Sequence, residues 1–389
     1  MIIQLKKLFN HALLHFFSLF PIDNSMIVLE SESDLSDNAF AFFDYLQNNT
    51  ESNRYKYVWL VENPTMLKTK SNYSIDLICK NGLQDCIRRM KVLATCKYYI
   101  YDHNNLYKGK RKRKKQIIVN LYHGCGIKYT PSLKVKDDID YLITTSKFFN
   151  NEFSRIFNIG IDRIYSLGYP RTDYFYKAIN QEQAFEKKQL SKYDKILFWM
   201  PTFRRSSNKE LDEDYFASET GLPLLTSNED LKELDKFLSS RNCLCIFKIH
   251  HLQADLNSFK YVYSNIQILT DDDIRNKGMQ LYQYLVLTDA LITDYSSVAT
   301  DYMLLDRPIL YTIDDYNDFN GSRGFWINNA IDYLPGNKAT NKESFYESLN
   351  KIIDGMDEYY GERSRINSIF NEYKDGNHCK RIMQLIGIE

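Results

Sequence analysis

Five groups of polar residues each follow a short apolar run, and their side chains are of the types that bind and transfer phosphate. The apolar runs have the length and composition of buried strands, so each polar group would lie where a strand ends. The groups are residues 122–128 (YHGCGIK), 168–173 (GYPRTD), 201–205 (PTFRR), 248–251 (KIHH) and 293–297 (TDYSS). Histidine exchanges protons near neutral pH, and arginine and lysine neutralise phosphate. Together the groups indicate a site for an anionic ligand.

His123 has the sequence setting of a general base. It directly follows an apolar run and precedes Gly124, so a flexible loop would carry an imidazole that titrates near neutral pH. A histidine that only closes a turn would give the same pattern. Lys128 would either neutralise a phosphate or pair with a surface carboxylate.

Lys248, His250 and Arg204 are residue types that hold a diphosphate. Lys248 and His250 would point to one face of their strand, because side chains alternate along a strand. The guanidinium of Arg204 can bind phosphate through two parallel hydrogen bonds. A metal site is the rival interpretation of the histidines. It is disfavoured because His251 would point to the opposite face and no carboxylate lies nearby in sequence.

Residues 290–310 (ALITDYSSVATDYMLLDRPIL) predict a strand, a tight turn, a short helix and a second strand. Asp294 follows the first strand, and Ser296 and Ser297 would stand at the first turn of the helix. Their hydroxyls would cap backbone N–H groups, and the same N–H groups bind phosphate. An ordinary helix cap and a phosphate cradle both remain open on this pattern.

Apolar runs of strand length alternate with segments of helical periodicity along the chain. This alternation predicts parallel sheets with helices on both faces, and 389 residues suffice for two such domains. We expect two Rossmann-type, doubly wound α/β domains that face each other across a cleft. The polar segment 180–194 would connect them. The predicted boundaries are 1–22 for an N-terminal helix, 23–180 for the first domain, and 190–389 for a second domain that ends in helices.

The first twenty residues predict an amphipathic helix. Its apolar positions recur at helical spacing and are Leu5, Leu8, Phe9, Ala12, Leu13, Phe16 and Phe20. The segment is too short to span a bilayer and lacks the small-residue cleavage site of a signal peptide. The helix would pack on its own domain or lie in a membrane surface, and its apolar bulk favours the membrane.

Residues 108–115 (KGKRKRKK) carry seven positive charges. Anionic lipid head groups or a phosphate-rich acceptor would suit this run beside the N-terminal helix. A solvated loop is the simpler explanation. Because no nucleic-acid-binding motif accompanies the run, a nucleic-acid partner is not expected.

Composition and missing motifs exclude several classes of protein. Fifty basic and fifty acidic residues balance, so net charge names no partner, and seven scattered cysteines lack zinc spacing and suit a reducing cytoplasm. The chain has no dinucleotide fingerprint, Walker loop, nucleophile elbow or kinase motif set. Dehydrogenases, P-loop NTPases, α/β-hydrolases and protein kinases are therefore excluded.

Other polar residues have simpler structural explanations. Arg171 and Asp173 are expected to pair with each other and hold their loop. Residues 271–273 (DDD) follow a predicted strand, but the neighbouring sequence predicts a loop and helix cap rather than a metal-binding motif of nucleotide-sugar transferases.

In order and spacing, the five polar groups resemble the motifs of the CDP-glycerol glycerophosphotransferases of teichoic acid and capsule synthesis. Segments 122–128, 168–173, 201–204 and 248–250 correspond to four of these motifs, and 292–297 with Asp301 and Tyr302 corresponds to the fifth. The resemblance covers roughly residues 98–325 and extends more loosely from residue 26. It departs from the family pattern at Tyr122, Cys125, Gly126 and His251, and the changes around His123 affect the acceptor side.

The resemblance implies a GT-B-like fold and a metal-independent enzyme without a cofactor, peripheral on the cytoplasmic face of the cell membrane. It places His123 as the base and His250 as a second essential histidine. It implies that Arg204, Ser296 and Ser297 bind the donor diphosphate and that Asp301 lies close to the donor. We add Lys248 and Asp294 to the donor-binding residues. We assign Gly124 and Lys128 to the acceptor side.

The expected reaction moves glycerol phosphate from CDP-glycerol to a hydroxyl of a membrane-anchored cell-wall or capsular glycan and releases CMP. Transfer of ribitol phosphate from CDP-ribitol and sugar transfer from a nucleotide sugar are the alternatives. A non-catalytic membrane-bound assembly subunit with the same fold is a third. The histidines and arginine at the strand ends argue against this last alternative.

Overall fold

The computed structural model describes residues 2–51, 53–62, 75–80, 82–103, 113–133, 139–201, 219–249 and 257–389. The chain divides into two compact units. Unit 1 comprises Met1–His123, Pro131–Asp173 and Glu372–Glu389, and unit 2 comprises Gly124–Thr130 and Tyr174–Asn371. The division therefore separates the predicted base, His123, from the glycine that follows it.

Unit 1 is built on a parallel seven-stranded sheet. Its strands are β1 (Asp23–Glu30), β2 (Lys56–Val61), β3 (Ile75–Cys79), β4 (Cys96–Tyr101), β5 (Ile117–Asn120), β6 (Tyr141–Thr144) and β7 (Ile164–Ser166). They lie in the order β3-β2-β1-β4-β5-β6-β7, which reverses direction between β1 and β4. Its α-helices among the described residues are α1 (Ile2–Phe17), α2 (Asp37–Asn49), α3 (Leu83–Thr95), α4 (Asn150–Phe157) and a last helix, His378–Ile386. The central strands β1, β4 and β5 bury most of the side chains in their C-terminal halves, because both faces of a parallel sheet are covered.

Unit 2 repeats this arrangement with six parallel strands. They are β8 (Lys195–Met200), β9 (Cys243–Lys248), β10 (Ile266–Leu269), β11 (Ala290–Thr293), β12 (Ile309–Thr312) and β13 (Asn337–Ala339), in the order β10-β9-β8-β11-β12-β13. The described α-helices are α5 (Gln181–Leu190), α6 (Asn228–Ser240), α7 (Asp271–Asn276), α8 (Leu281–Leu285), α9 (Val298–Tyr302), α10 (Tyr316–Gly321), α11 (Lys342–Ile353) and α12 (Tyr360–Phe370); the last helix of unit 1 completes the series as α13. The ring of Trp199 packs against those of Phe247 and Phe345 at 5.0 and 5.2 Å in the core.

The segment predicted to connect the domains forms helix α5 of unit 2 instead. Asn180 caps this helix, and Gln183 closes the capping box. Glu186 is buried and accepts a hydrogen bond from Tyr284 at 2.8 Å, so the helix is fastened to its own unit. Three polar residues that made the segment look like a linker thus hold it in place.

The C-terminal helix α13 belongs to unit 1, although the predicted boundaries place it in the second domain. The carboxylate of Asp173 accepts hydrogen bonds from the backbone N–H groups of His378 and Cys379 at 3.0 and 2.9 Å. A side chain of unit 1 therefore caps the start of this helix.

Helix α1 packs on unit 1 along one side only. Leu14 of this helix is buried in a core cluster shared with α3, whereas Leu8 and Phe16 are 66% and 54% exposed. Leu19, two residues after the helix ends, is 76% exposed. Among the helices that the structure describes, none combines the length and apolar character that crossing a bilayer requires.

Candidate active site

The strand order sets the positions of the polar groups. In each unit the order reverses beside the first strand, at β1 and β4 in unit 1 and at β8 and β11 in unit 2. Ligands of doubly wound sheets bind beyond the carboxyl ends of strands at such a reversal. Of the predicted groups, residues 122–123 follow β5, and residues 201–205 and 293–297 follow β8 and β11.

The residue before His123, Tyr122, has a strained backbone conformation. Tyr122 has a positive φ of 51°, a conformation that costs energy in a non-glycine residue. Its backbone N–H donates to the side chain of Asn120 at 2.8 Å, and its ring packs against Phe153 and Phe157 at 5.0 and 5.3 Å. These contacts offset the strain and fix the backbone that carries His123.

Asn38 is a second support for this backbone and was not foreseen from the sequence. It is fully buried at the start of α2. Its amide donates to the carbonyl of Tyr122 at 2.7 Å and accepts from the backbone N–H of Arg171 at 3.1 Å. One side chain therefore joins the loop of the predicted base to the predicted loop 168–173.

The predicted pair between Arg171 and Asp173 is replaced by two separate interactions. The guanidinium of Arg171 lies 2.6 Å from Asp37, and the carboxylate of Asp173 lies 2.9 Å from Nδ1 of His378. The loop is held as expected, but by residues distant in sequence. Burial alone would raise the pKa of Asp173, yet its hydrogen bonds from His378 and Cys379 lower it below the usual range.

His103 lies beside the predicted base and was also missed. Its ring centroid is 4.3 Å from that of His123, and its Nε2 is 2.9 Å from a carboxylate oxygen of Glu32. His103 comes two residues after β4 and Glu32 two residues after β1, the two strands at the reversal point. The available signal was a polar residue pair, Asp102 and His103, directly after a strand.

The loop that follows His123 is anchored within unit 2. Lys128 forms an antiparallel bridge with Phe325, and the backbone N–H of Tyr129 donates to the carbonyl of Gly324 at 2.9 Å. The indole of Trp326 donates to the carbonyl of Gly126 at 2.8 Å. Lys128 is therefore positioned by backbone pairing.

Gly126 brings this loop against the serine pair. A Cβ atom added at Gly126 would lie 3.2 Å from Cβ of Ser297, closer than most real contacts. The structure thus brings the first and fifth predicted groups together in unit 2. Tyr295, the residue before the serines, packs its ring against Phe325 at 5.1 Å. Phe325 also pairs with Lys128, so it contacts both the serine segment and the loop of Gly126.

Ser296 and Ser297 precede α9, but the predicted N-cap bond is not formed. The hydroxyl of Ser297 makes no capping hydrogen bond to the described backbone, and its φ and ψ of −64° and −15° are helical. Helix α9 is only five residues long, so its dipole contributes little. The hydroxyls are more important than the dipole for any anion bound here.

Three other predicted donor-binding residues are partly or fully buried. Lys248 forms an ion pair with Asp271 at 2.8 Å. Asp294 and Asp301 are 1% and 0% exposed, and the hydroxyl of Tyr282 donates to Asp301. As predicted, residues 271–273 cap a helix, since Thr270 and Asp273 form a capping box.

Several predicted residues lie outside the described part of the chain: Arg204, Arg205, His250, His251 and residues 108–112 of the basic run. Arg113, the described arginine at the end of that run, donates to the carbonyls of Phe20 and Ala94 at 2.8 and 3.0 Å. Within the described ranges, no three His, Cys, Asp or Glu side chains are grouped so that they could hold a metal ion.

Two Rossmann-type units with parallel sheets, each reversing its strand order beside its first strand, define a GT-B-like fold. The chain belongs to the CDP-glycerol:poly(glycerophosphate) glycerophosphotransferase family, whose model matches residues 12–387. This confirms the family indicated by the motifs and the expectation of a transferase.

Relatives include enzymes for two polyols. The chain is 26% identical to the teichoic acid poly(glycerol phosphate) polymerase of Bacillus spizizenii, over 94% of this chain and 93% of the relative. It is 24% identical to the poly(ribitol-phosphate) polymerase of the same organism over 88% of this chain, but spans only 54% of that relative. A solved structure of the wall teichoic acid polymerase TagF superimposes with a TM-score of 0.76 at 23% identity, covering 97% of this chain and 93% of that one.

Proposed function

We propose that this protein transfers glycerol phosphate from CDP-glycerol to a hydroxyl of a teichoic-acid-type or capsular acceptor and releases CMP. Family membership and the five ordered motifs support the reaction class. The observation that carries the assignment of residues is the close approach of Gly126 to Ser297. His123 precedes Gly126 by three residues in the sequence.

His123 would take the proton of the acceptor hydroxyl as that oxygen attacks the phosphorus. The bond from phosphorus to the bridging oxygen of the diphosphate breaks, and CMP leaves with the electron pair. Phosphoryl transfer is accelerated mainly by positioning and by neutralising charge. Ser296 and Ser297 would donate hydrogen bonds to the diphosphate, and Arg204 and His250 would neutralise it. Lys248 would join them on leaving Asp271.

The test is incubation of the purified protein with CDP-glycerol, CDP-ribitol or nucleotide sugars and lipid-linked acceptors, followed by measurement of released nucleotide and product mass. CMP indicates polyol phosphate transfer, and a nucleoside diphosphate indicates sugar transfer. EDTA should leave the rate unchanged, because basic side chains, rather than a metal ion, are proposed to neutralise the diphosphate. Absence of nucleotide release with every donor contradicts the enzymatic proposal.

His123→Ala is expected to lower turnover by roughly 10²–10⁴-fold, the usual contribution of one general base. Donor affinity should be retained, because His123 is assigned to the acceptor. Turnover and equilibrium binding of CDP-glycerol are measured on the same preparation. An unchanged rate would remove His123 from the mechanism, and loss of donor affinity would reassign it to the donor.

Ribitol phosphate transfer is the second candidate, since relatives of similar length include the ribitol-phosphate primase of Bacillus spizizenii, 24% identical over 98% of this chain and 95% of the relative. The same donor panel separates the two polyols. A higher kcat/KM with CDP-ribitol than with CDP-glycerol would favour this candidate.

We also propose that α1 lies in the surface of the inner membrane leaflet, which makes the enzyme peripheral. The exposed Leu8 and Phe16 of this helix, and Leu19 just after it, would enter the lipid. Replacing all three with Gln leaves the buried Leu14 intact, so the fold should be kept. The variant should no longer sediment with vesicles of anionic lipid. Sedimentation equal to that of the natural chain would contradict this role.

A further inference from the structure

His103 stands at the reversal point of unit 1, where the sheet order points to a ligand. Its side chain is 18% exposed, and its Nε2 lies 2.9 Å from Oε2 of Glu32. Glu32 is 67% exposed, so its carboxylate keeps one side toward solvent. The two residues come from neighbouring strands, β1 and β4, and their pairing requires only that these strands end at the same edge.

The rings of His103 and His123 pack closely in a tilted arrangement. Their centroids are 4.3 Å apart and the planes are inclined by 43°. The ring of Tyr122 contacts His123 as well, at 4.1 Å and 40°. Close packing of both neighbouring rings restricts the plane that the His123 imidazole can adopt.

We propose that His103, held by Glu32, is a positioning residue for His123. It orients the imidazole and, when protonated, disfavours a second proton on the neighbouring ring. Two like charges at this separation repel, so one proton on the pair makes the next harder to add. This inference rests on the proposed function of His123 as a base.

Asp102, which precedes His103 in the chain, and Asp37 are the other acidic residues of this region. Asp102 is buried, and its burial raises its pKa well above the usual range, with Asp37 adding to the rise. Asp37 is itself paired with Arg171 at 2.6 Å. Glu32 is therefore the carboxylate in direct contact with His103.

The test compares His103→Phe, which keeps a flat ring without a charge, with His103→Ala, which removes both. The histidine side chains are titrated by NMR, and the His123 signal is assigned from its loss in His123→Asn. The His123 midpoint should rise by about one pH unit in both variants, because a neighbouring positive charge is removed. Tyr165→Phe, whose ring contacts Tyr141 at 5.3 Å, is the packing control and should not shift it.

CMP release provides the second readout. In a profile of kcat/KM against pH, the acidic limb should move to higher pH in both variants. The plateau value of kcat/KM should fall about tenfold only in His103→Ala. An unchanged His123 midpoint in His103→Phe overturns the inference, whether or not the enzyme is active. A shifted midpoint without a shifted acidic limb upholds the ring coupling and refutes His123 as the base. Thermal unfolding shows whether the His103→Ala variant is folded. If it is unfolded, the His103→Phe variant alone decides the test.

Discussion

The surroundings of His123 in unit 1 and of Ser297 in unit 2 are held by different means. Around His123 the support comes from buried side chains: Asn38 bonds to the backbone of Tyr122, and His103 packs on the ring. Around Ser297 the support comes from the backbone, because Gly126 lacks a Cβ atom and therefore allows a close approach to Ser297. The strained backbone position in unit 1 is Tyr122, which has a positive φ.

This contrast matches the chemistry proposed for each region. A general base works only when one nitrogen points at one proton, so its ring orientation must be fixed by neighbours. A diphosphate is larger and is bound by several donors, so room and exposed N–H or O–H groups are more important than the angle of a single ring. Substitutions in unit 1 should therefore act mainly on kcat, and those in unit 2 mainly on donor KM.

The largest effect is expected from Asn38→Leu, which is similar in size and removes both hydrogen bonds. Each backbone group left buried without a partner costs about 1–3 kcal/mol, so the free energy of unfolding should fall by a few kcal/mol. The loop of His123 would shift, and a shift of about 1 Å can cost about 100-fold in rate. Denaturant unfolding and kcat per folded molecule measure the two effects.

The matched control is Asn265→Leu in unit 2. The amide of Asn265 also donates to a buried backbone carbonyl, that of Cys243, at 2.7 Å. This variant should lose stability but keep its kcat. If both variants lower kcat equally, the side-chain network around His123 has no specific role.

A smaller effect is expected from Asp173→Asn. Hydrogen bonds to a charged group contribute about 1.5–3 kcal/mol each, and Asn can replace only part of them. Because the folded pKa of Asp173 is lowered, its stabilisation is complete above the carboxyl pKa of the unfolded chain and disappears as the pH falls through the folded value. The difference in unfolding free energy between the natural chain and the variant should therefore be large at pH 7 and shrink toward pH 3.

Asp375→Asn provides the control at the same helix. Asp375 pairs with Arg381, which lowers its pKa to about 2, but the carboxylate is 45% exposed. Solvent screening limits such a pair to at most about 1 kcal/mol. A larger loss from Asp375→Asn than from Asp173→Asn would contradict the assigned importance of burial at the start of α13.

Much of the architecture was predictable because parallel strands are apolar on both faces. The apolar runs of β6 and β10, for example, have the length and composition expected of buried strands. The five polar groups were recognisable because ligand sites follow strand ends in such sheets. Helix α5 lies in the segment that was predicted to connect the domains. It was missed because its buried residues Gln183 and Glu186 are polar, so the segment lacks the hydrophobic periodicity of a helix.

The supporting residues were not predictable, because their partners are distant in sequence. Asn38 meets Arg171 across 133 positions, and Asp173 meets His378 across 205. A local pattern could only suggest the nearer pair of Arg171 with Asp173. The role of His103 was unpredictable for the same reason. It depends on contacts with Glu32 and His123, which the strand order brings beside it.

The smallest effect is expected from Gly126→Ala, which tests the region around Ser297. The added Cβ would meet Ser297 at 3.2 Å, and the loop or the serine must move by a few tenths of an ångström. Donor KM should rise up to about tenfold, equivalent to about 1.4 kcal/mol, with kcat and stability nearly unchanged. Initial rates over a range of CDP-glycerol concentrations measure both constants.

Gly361→Ala separates this steric effect from the general effect of replacing a glycine. Gly361 lies inside α12, and no described atom lies within 4 Å of its added Cβ. The substitution should stabilise the protein by about 0.5–1 kcal/mol and leave both kinetic constants unchanged. A fall in kcat without a rise in donor KM for Gly126→Ala would show that this glycine serves His123 rather than the serines. The two regions would then form one support, and the distinction between a base held by side chains and an anion site held by backbone would fail.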